Sequence, residues 1–211
     1  MAQAVVDTLE STRTDSAITI DGTLDKTWDQ AKPITVVLDE VPYKPSNCYE
    51  GMQETDVEMR SVYDDEHVYF LMRWKDPTLS LHRYPWVKQE DGSWKSMVNK
   101  DHTKHENTYY EDKASIFWNI KSKGFQKKGC DKSCHMPDDD GLLEGIKDTS
   151  AGRHYTAVEG ETIDMWHWKG ARTNVNFQMD DQFVDHARSE SKEWGRHSDV
   201  KTGGGYYYNK E

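Results

Sequence analysis

The sequence lacks several features that would place it in a common class of protein. No segment approaches the roughly 20 consecutive apolar residues that a membrane-spanning helix needs, so we expect no transmembrane segment. Hydrophobic residues make up only 35% of the 211 residues, and the mean hydropathy is −0.98. Basic residues number 27 against 38 acidic ones, giving a net charge of −11. This charge argues against nucleic acid as a partner, because phosphate would be repelled.

Aromatic residues, in contrast, are plentiful. The chain contains 8 Trp, 11 Tyr and 5 Phe, whereas disordered chains are poor in aromatics. Large rings bury much apolar area per residue, so a folded core is expected despite the low hydrophobic fraction. The length suits one sizeable domain or at most two small ones. We therefore predict a polar N-terminal arm over residues 1–16 and a single domain over residues 17–211.

Short alternating runs bounded by turn residues predict β-strands with hardly any helix. The predicted strands cover residues 17–22, 34–38, 57–63, 67–74, 112–120 and 162–169. Residues 80–110 and the last forty residues show little periodicity and are interpreted as polar connections. Many short strands joined by turns are typical of an all-β, antiparallel β-sandwich with long loops.

The sharpest motif is a pair of cysteines followed at once by a histidine. Cys130 and Cys134 are separated by three residues, and His135 comes next. Covalent haem attachment needs two thiols that reach the two vinyl groups of one porphyrin, and a histidine that reaches the iron. The common form has two intervening residues. The motif predicts one haem c held by Cys130 and Cys134, with His135 as the proximal iron ligand.

Other chemistries compete for the same cysteines. A structural zinc site would normally need four ligands, usually two such pairs, and a second cysteine pair is missing. A redox dithiol usually has two intervening residues in a thioredoxin-like setting. A local disulfide between Cys130 and Cys134 is a third alternative. The remaining cysteine, Cys48, stands alone and is interpreted as an inert thiol.

A second motif supplies candidates for the other side of the iron. In the predicted strand 162–169, alternation places Met165, His167 and Lys169 on one face, and Trp166 and Trp168 with Asp164 on the other. The first face carries three potential iron ligands, with aromatic walls beside it. An iron with protein ligands on both sides suits electron transfer, because no coordination position is open to a substrate. We expect His167 to be the distal ligand, with Lys169 as the alternative.

Taken together, the motifs favour a monohaem c-type electron-transfer protein that is not itself an enzyme. Two other functions remain open. A carbohydrate-binding module could use exposed tryptophans such as Trp86 and Trp94. A haem enzyme or sensor would keep one iron position free.

The chain resembles the haem-binding domain of the ethylbenzene dehydrogenase gamma-subunit type, which is similar to family 9 carbohydrate-binding modules. The resemblance covers most of the chain except residues 80–105. The matching segments are Ile20-Asp21-Gly22-x-Leu24-Asp25-x-x-Trp28, Phe70-x-x-x-Trp74-x-Asp76, Glu111-Asp112-Lys113 with Phe117-Trp118-Asn119, Asp164-x-Trp166-x-Trp168-Lys169, and Gly204-Gly205-Tyr206. The resemblance implies a β-sandwich whose long loops enclose a haem.

In the gamma subunits the haem is type b and is held by a methionine and a lysine. This chain departs from them, because Cys130, Cys134 and His135 fall where the methionine loop would lie. It is therefore similar to the c-type branch of the family, seen among periplasmic cytochromes and subunits related to nitrite oxidoreductase. Lys169 matches the family's lysine position, whereas His167 suits a bis-histidine site.

The resemblance also implies a redox partner and a location. Gamma subunits pass electrons between an iron–sulfur subunit and an outside carrier, so an iron–sulfur subunit or a basic protein is the expected partner. No cysteine set for an iron–sulfur cluster is present in this chain. Since haem c is attached outside the cytoplasmic membrane, a periplasmic or equivalent location is expected.

Overall fold

A computed structural model of the protein describes residues 7–39, 50–102, 105–127, 129, 134–135, 155–156, 158–187 and 195–200, with only the backbone at 134–135. The chain divides into two compact units. The first comprises Met1–Val41 and Met52–Thr78, and the second comprises Pro42–Gly51 and Leu79–Glu211.

The first unit is a four-stranded sheet centred on one long strand. Its strands are β1 (Ser11–Arg13), β2 (Ile34–Leu38), β3 (Thr55–Tyr63) and β4 (Val68–Arg73). β3 is antiparallel to β4 along one edge, and its other edge pairs antiparallel with β2 and then parallel with β1. β3 therefore organises the whole unit.

A short 3-10 helix, Lys26–Gln30, supplies the core of the first unit. Trp28 and Ala31 are buried against Val62 of β3. The Arg60 guanidinium donates hydrogen bonds to the carbonyls of Trp28 at 2.9 Å and Ala31 at 3.2 Å, and pairs with Glu58 at 3.0 Å. These contacts fix the helix against the sheet.

Two features of this unit differ from the expectation. Ser11–Arg13, within the predicted arm, form β1, because Ser11 pairs with Ser61 of β3 and their hydroxyls are 2.9 Å apart. The strand predicted over residues 17–22 is absent from the described structure there. Asp21 instead accepts a hydrogen bond from the Thr23 amide at 2.7 Å, and Gly22 has φ of 78°, so the segment ends in a turn.

The second unit contains a four-stranded antiparallel sheet in the order β12-β11-β10-β7. Its strands are β7 (Lys113–Lys121), β10 (Thr162–Lys169), β11 (Asp180–Val184) and β12 (Arg196–Ser198). Two further antiparallel pairs are β5 (Trp86–Lys88) with β6 (Trp94–Ser96), and β8 (Cys134–His135) with β9 (Tyr155–Thr156). A 3-10 helix spans Asn174–Asn176.

The prediction of an all-β fold with little helix is confirmed, and the strands are consistent with the sandwich class. The prediction of polar connections over residues 80–110 and the last forty residues was wrong in part, because β5, β6, β11 and β12 lie there. The sequence did not predict β5 and β6, because both faces of each strand are largely exposed and hydrophobic alternation is lost. No helix among the described residues is long and apolar enough to cross a membrane.

A buried carboxylate joins the start of β7 to the turn after β10. The Glu111 side chain is 0% exposed and accepts hydrogen bonds from the amides of Ala171 at 2.8 Å and Arg172 at 3.0 Å. The Arg172 guanidinium also pairs with it. The turn that follows β10 is thus fixed in place by one side chain.

Replacing Glu111 with glutamine is expected to destabilise the protein by about 3 kcal/mol, because the partly buried Arg172 guanidinium loses its charged partner. Urea unfolding of the variant measures this cost. Glu159→Gln, an exposed loop position, is the matched control and should change the free energy of unfolding by less than about 0.5 kcal/mol. Equal stability of the two variants would show that Glu111 has no such role.

Candidate functional site

Strand β10 has one buried face and one partly exposed face. Ile163, Met165, His167 and Lys169 are buried, while the residues between them are partly exposed. The predicted alternation is therefore confirmed for this strand. Burying a histidine and a lysine side by side is costly unless both are held by partners, and both have them.

The His167 ring is held by strand β11. Its Nδ1 lies 3.2 Å from Oε1 of Gln182, and the residue is only 8% exposed. Because an amide oxygen accepts hydrogen bonds, Nδ1 carries the proton and Nε2 keeps its lone pair. Burial, together with the positive charges of Lys169, Arg196 and Lys113, lowers the pKa of His167 from 6.5 to about 2. The imidazole is therefore neutral at physiological pH, and its burial costs stability as pH falls below 6.5.

Lys169, two residues along β10, forms an ion pair with Asp180 of β11. Both side chains are almost fully buried, at 4% and 1% exposed. Burial lowers the pKa of Lys169 from 10.5 to about 8, although the Asp180 carboxylate acts in the opposite direction. At neutral pH the amine is thus mainly an ammonium ion held by a carboxylate.

The opposite face of this sheet is aromatic and acidic. The rings of Trp118 and Trp166 are 5.0 Å apart between centroids, and the indole NH of Trp168 donates to Asn174 at 3.1 Å. Asp181 lies opposite Trp166 on β11. Partial burial, together with the charges of Asp164 and Asp199, raises the pKa of Asp181 from 3.8 to about 6.

Replacing Asp181 with asparagine is expected to stabilise the protein at pH 7 by on the order of 1 kcal/mol and to have little effect at pH 4. The folded-state pKa of Asp181 is raised, so its carboxyl favours the fold below pH 3.8, and that contribution is lost as pH rises through 6. Urea unfolding of variant and wild type at both pH values measures the difference in the free energy of unfolding. The pH-dependent contribution of His167 is present in both proteins and therefore cancels in this difference. An equal effect at pH 4 and pH 7 would contradict the assignment.

The cysteine–histidine motif lies only partly within the described residues. Cys130 lies outside them, while Cys134 and His135 are described by backbone alone as β8. His135 is opposite Tyr155 on β9, and the Thr156 amide donates to the Asp185 carbonyl at 3.0 Å, just after β11. The β8–β9 pair is thus connected to the end of the sheet where Val184 pairs with Ile163.

Along β10, His167 is four residues from Ile163, or about 13 Å at the usual rise of a strand. Met165 lies between them on the same buried face. The structure thus brings Met165, His167 and Lys169 together, with the backbone of His135 connected to one end of their sheet. Trp166 and Trp168 lie on the opposite face of the strand from His167.

Sequence reasoning missed the partners of these residues. Gln182 and Asp180 alternate with Asp181 in β11, and this short polar pattern was the only available signal. The register that places Asp180 opposite His167 is set by cross-strand pairing, which the sequence does not display.

A comparison with protein-family models gives a match over residues 25–211 to the family described as ethylbenzene dehydrogenase. The chain belongs to this family. The family is the gamma-subunit-like domain of a molybdenum oxidoreductase complex, which supports an electron-transfer role. It is a non-catalytic subunit-type domain, compatible with the expectation that this chain is not itself catalytic. No curated protein and no solved structure matches the chain.

Proposed function

We propose that this member of the ethylbenzene dehydrogenase family is a monohaem c-type electron-transfer domain. In this proposal Cys130 and Cys134 hold one haem c covalently, His135 is the proximal ligand and His167 is the distal ligand. The observation that carries the proposal is the buried, neutral imidazole of His167, whose Nδ1 is bound to Gln182.

The donor set on β10 fits an iron site. A histidine that ligates a metal usually donates its other ring NH to a neighbouring oxygen, which fixes the tautomer and the ring orientation. Gln182 supplies that oxygen, and Nε2 of His167 forms no hydrogen bond with any described residue. Lys169 suits the role less well, because its ammonium group is paired with Asp180.

When bound, a haem supplies reversible one-electron chemistry at its iron. The chain's own residues would hold and shield the group. His135 and His167 would both ligate the iron, and the burial of the β10 face would exclude water beside His167. An iron with both positions filled transfers electrons without binding a substrate.

A partner and a location complete the proposal. Family membership makes a partner subunit plausible, and the net charge of −11 favours a basic docking surface or an iron–sulfur subunit. Covalent attachment of haem c would place the protein in the periplasm or an equivalent compartment.

Carbon monoxide distinguishes this proposal from a haem sensor or haem enzyme. With both axial positions filled by protein, the reduced protein should bind carbon monoxide slowly or not at all, because a ligand must dissociate first. Stopped-flow absorption after mixing with carbon monoxide measures the rate. Fast binding by the whole population would indicate an open position and contradict the two-ligand site.

The structure also offers an observation that favours carbohydrate binding as a second candidate. Trp86 and Trp94 are 65% and 60% exposed, and the β5–β6 register places them on one face of the pair. Exposed indoles suit stacking against sugar rings. Sugar-dependent quenching of tryptophan fluorescence in haem-free protein, abolished by Trp86→Ala and Trp94→Ala, would support this function, and its absence would exclude it.

A further inference from the structure

A cluster of cations lies beside His167, although the chain as a whole is acidic. Lys113 of β7 is directly opposite Lys169 of β10, and opposite residues in an antiparallel pair share a face. Lys113 therefore lies on the same face as His167.

Three positively charged side chains, those of Lys113, Arg83 and Arg172, surround the ring of Tyr110. The ammonium nitrogen of Lys113 is 4.3 Å from the Tyr110 ring centroid, and the guanidinium carbons of Arg83 and Arg172 are each 5.7 Å from it. Arg83 also lies 5.2 Å from the ring of Tyr84. Cation–π contacts hold these groups together without neutralising their charge.

The nearby carboxylate does not balance this charge. The Glu111 carboxylate is fully buried and accepts hydrogen bonds from two backbone amides and from the Arg172 guanidinium. It therefore neutralises mainly the charge of Arg172. Arg83 is more distant, at 3.8 Å from the same carboxylate, and is 38% exposed. Lys113 is exposed and forms no ion pair with any described carboxylate. Arg83 and Lys113 are thus accessible to solvent, and the one carboxylate near Arg83 is already held by Arg172.

We propose that Lys113 and Arg83, supported by Arg172, bind the carboxylates of the prosthetic group that His167 ligates. A haem carries two propionates, and charge-assisted hydrogen bonds from lysine and arginine are the strong form of carboxylate recognition. The inference rests on the proposed function and extends it, because it assigns residues to the anionic edge of the group.

The test compares haemin with its dimethyl ester, which keeps the ring and iron but lacks both negative charges. Full-length protein made without haem attachment is titrated with each compound, following the quenching of tryptophan fluorescence. We expect wild-type protein to bind haemin at least about tenfold more tightly than the ester. Lys113→Gln combined with Arg83→Gln should remove that preference and leave affinity for the ester unchanged.

Lys121→Gln is the matched control, since Lys121 is an exposed lysine at the other end of β7. It should keep the wild-type preference, and circular dichroism checks that all variants are folded. One outcome is that wild type binds haemin and the ester with equal affinity while His167→Ala binds neither compound. That result would overturn this inference and leave the proposed function intact. Failure to bind either compound would overturn both. A preference for haemin that survives the double substitution would assign the carboxylates to other residues.

Discussion

Replacing His167 with alanine is expected to convert the low-spin absorption spectrum of the haem-loaded protein into a high-spin or ligand-switched one. Removal of the imidazole would take away one of the two proposed iron ligands. Neighbouring side chains are poor substitutes, because Lys169 is paired with Asp180. The Soret and visible bands of the oxidised protein, together with electron paramagnetic resonance, report the spin state. The reduced variant should also bind carbon monoxide rapidly, unlike wild type.

The control for this experiment removes the lysine. Lys169→Met combined with Asp180→Asn deletes the ion pair as a unit, which avoids leaving a buried carboxylate without its partner. This double variant should remain low-spin if His167 is the ligand. A high-spin spectrum in the lysine variant, with His167→Ala unchanged, would assign the distal position to Lys169.

Replacing both Cys130 and Cys134 with serine is expected to abolish covalent haem attachment. Each thiol would form one thioether with a vinyl group, so the double variant has no covalent link to the porphyrin. Haem staining on a denaturing gel and the mass of the intact protein measure attachment. Each single variant should keep a weaker link through the remaining thioether.

The third cysteine provides a matched control for the same experiment. Cys48→Ser should leave haem staining and the attached mass unchanged, because Cys48 is outside the motif. If wild-type protein instead contains one zinc ion, or three titratable thiols without haem, the cysteines serve a metal site or a redox dithiol. Either result would contradict the covalent assignment.

The strands that the sequence predicted best have one face that is more buried than the other. The predicted boundaries of β2 and β10 match the structure at Ile34–Leu38 and Thr162–Lys169. Their alternation reflects burial of every second side chain. The β5–β6 pair has no such signal, because Trp86 and Trp94 are exposed. Pairing and register depend on contacts distant in the chain, so the parallel β1–β3 pairing could not be foreseen.

Only part of the candidate site could be predicted from the sequence. The spacing of Met165, His167 and Lys169 identified a common face, since strand periodicity is local. The groups that hold the last two, Gln182 and Asp180, lie at least 11 residues farther along. Their positions depend on the β10–β11 register, which local patterns do not encode.

Net charge was a poor guide to local charge at this site. The value of −11 describes the chain as a whole, yet Lys113, Arg172 and Arg83 gather around Tyr110 beside the buried histidine face. An acidic chain and a local cluster of cations are compatible, because interactions between exposed charges are largely screened beyond about 8 Å at physiological ionic strength.

The central claim is that one haem is attached covalently to this chain, and acid-acetone extraction followed by a pyridine haemochrome spectrum tests it most directly. The full-length protein should be produced in a host that attaches haem c outside its cytoplasmic membrane. We predict that one haem per chain stays with the protein after extraction and gives the spectrum of a c-type haem. Haem that passes entirely into the acetone, or protein that contains no haem, would contradict the claim.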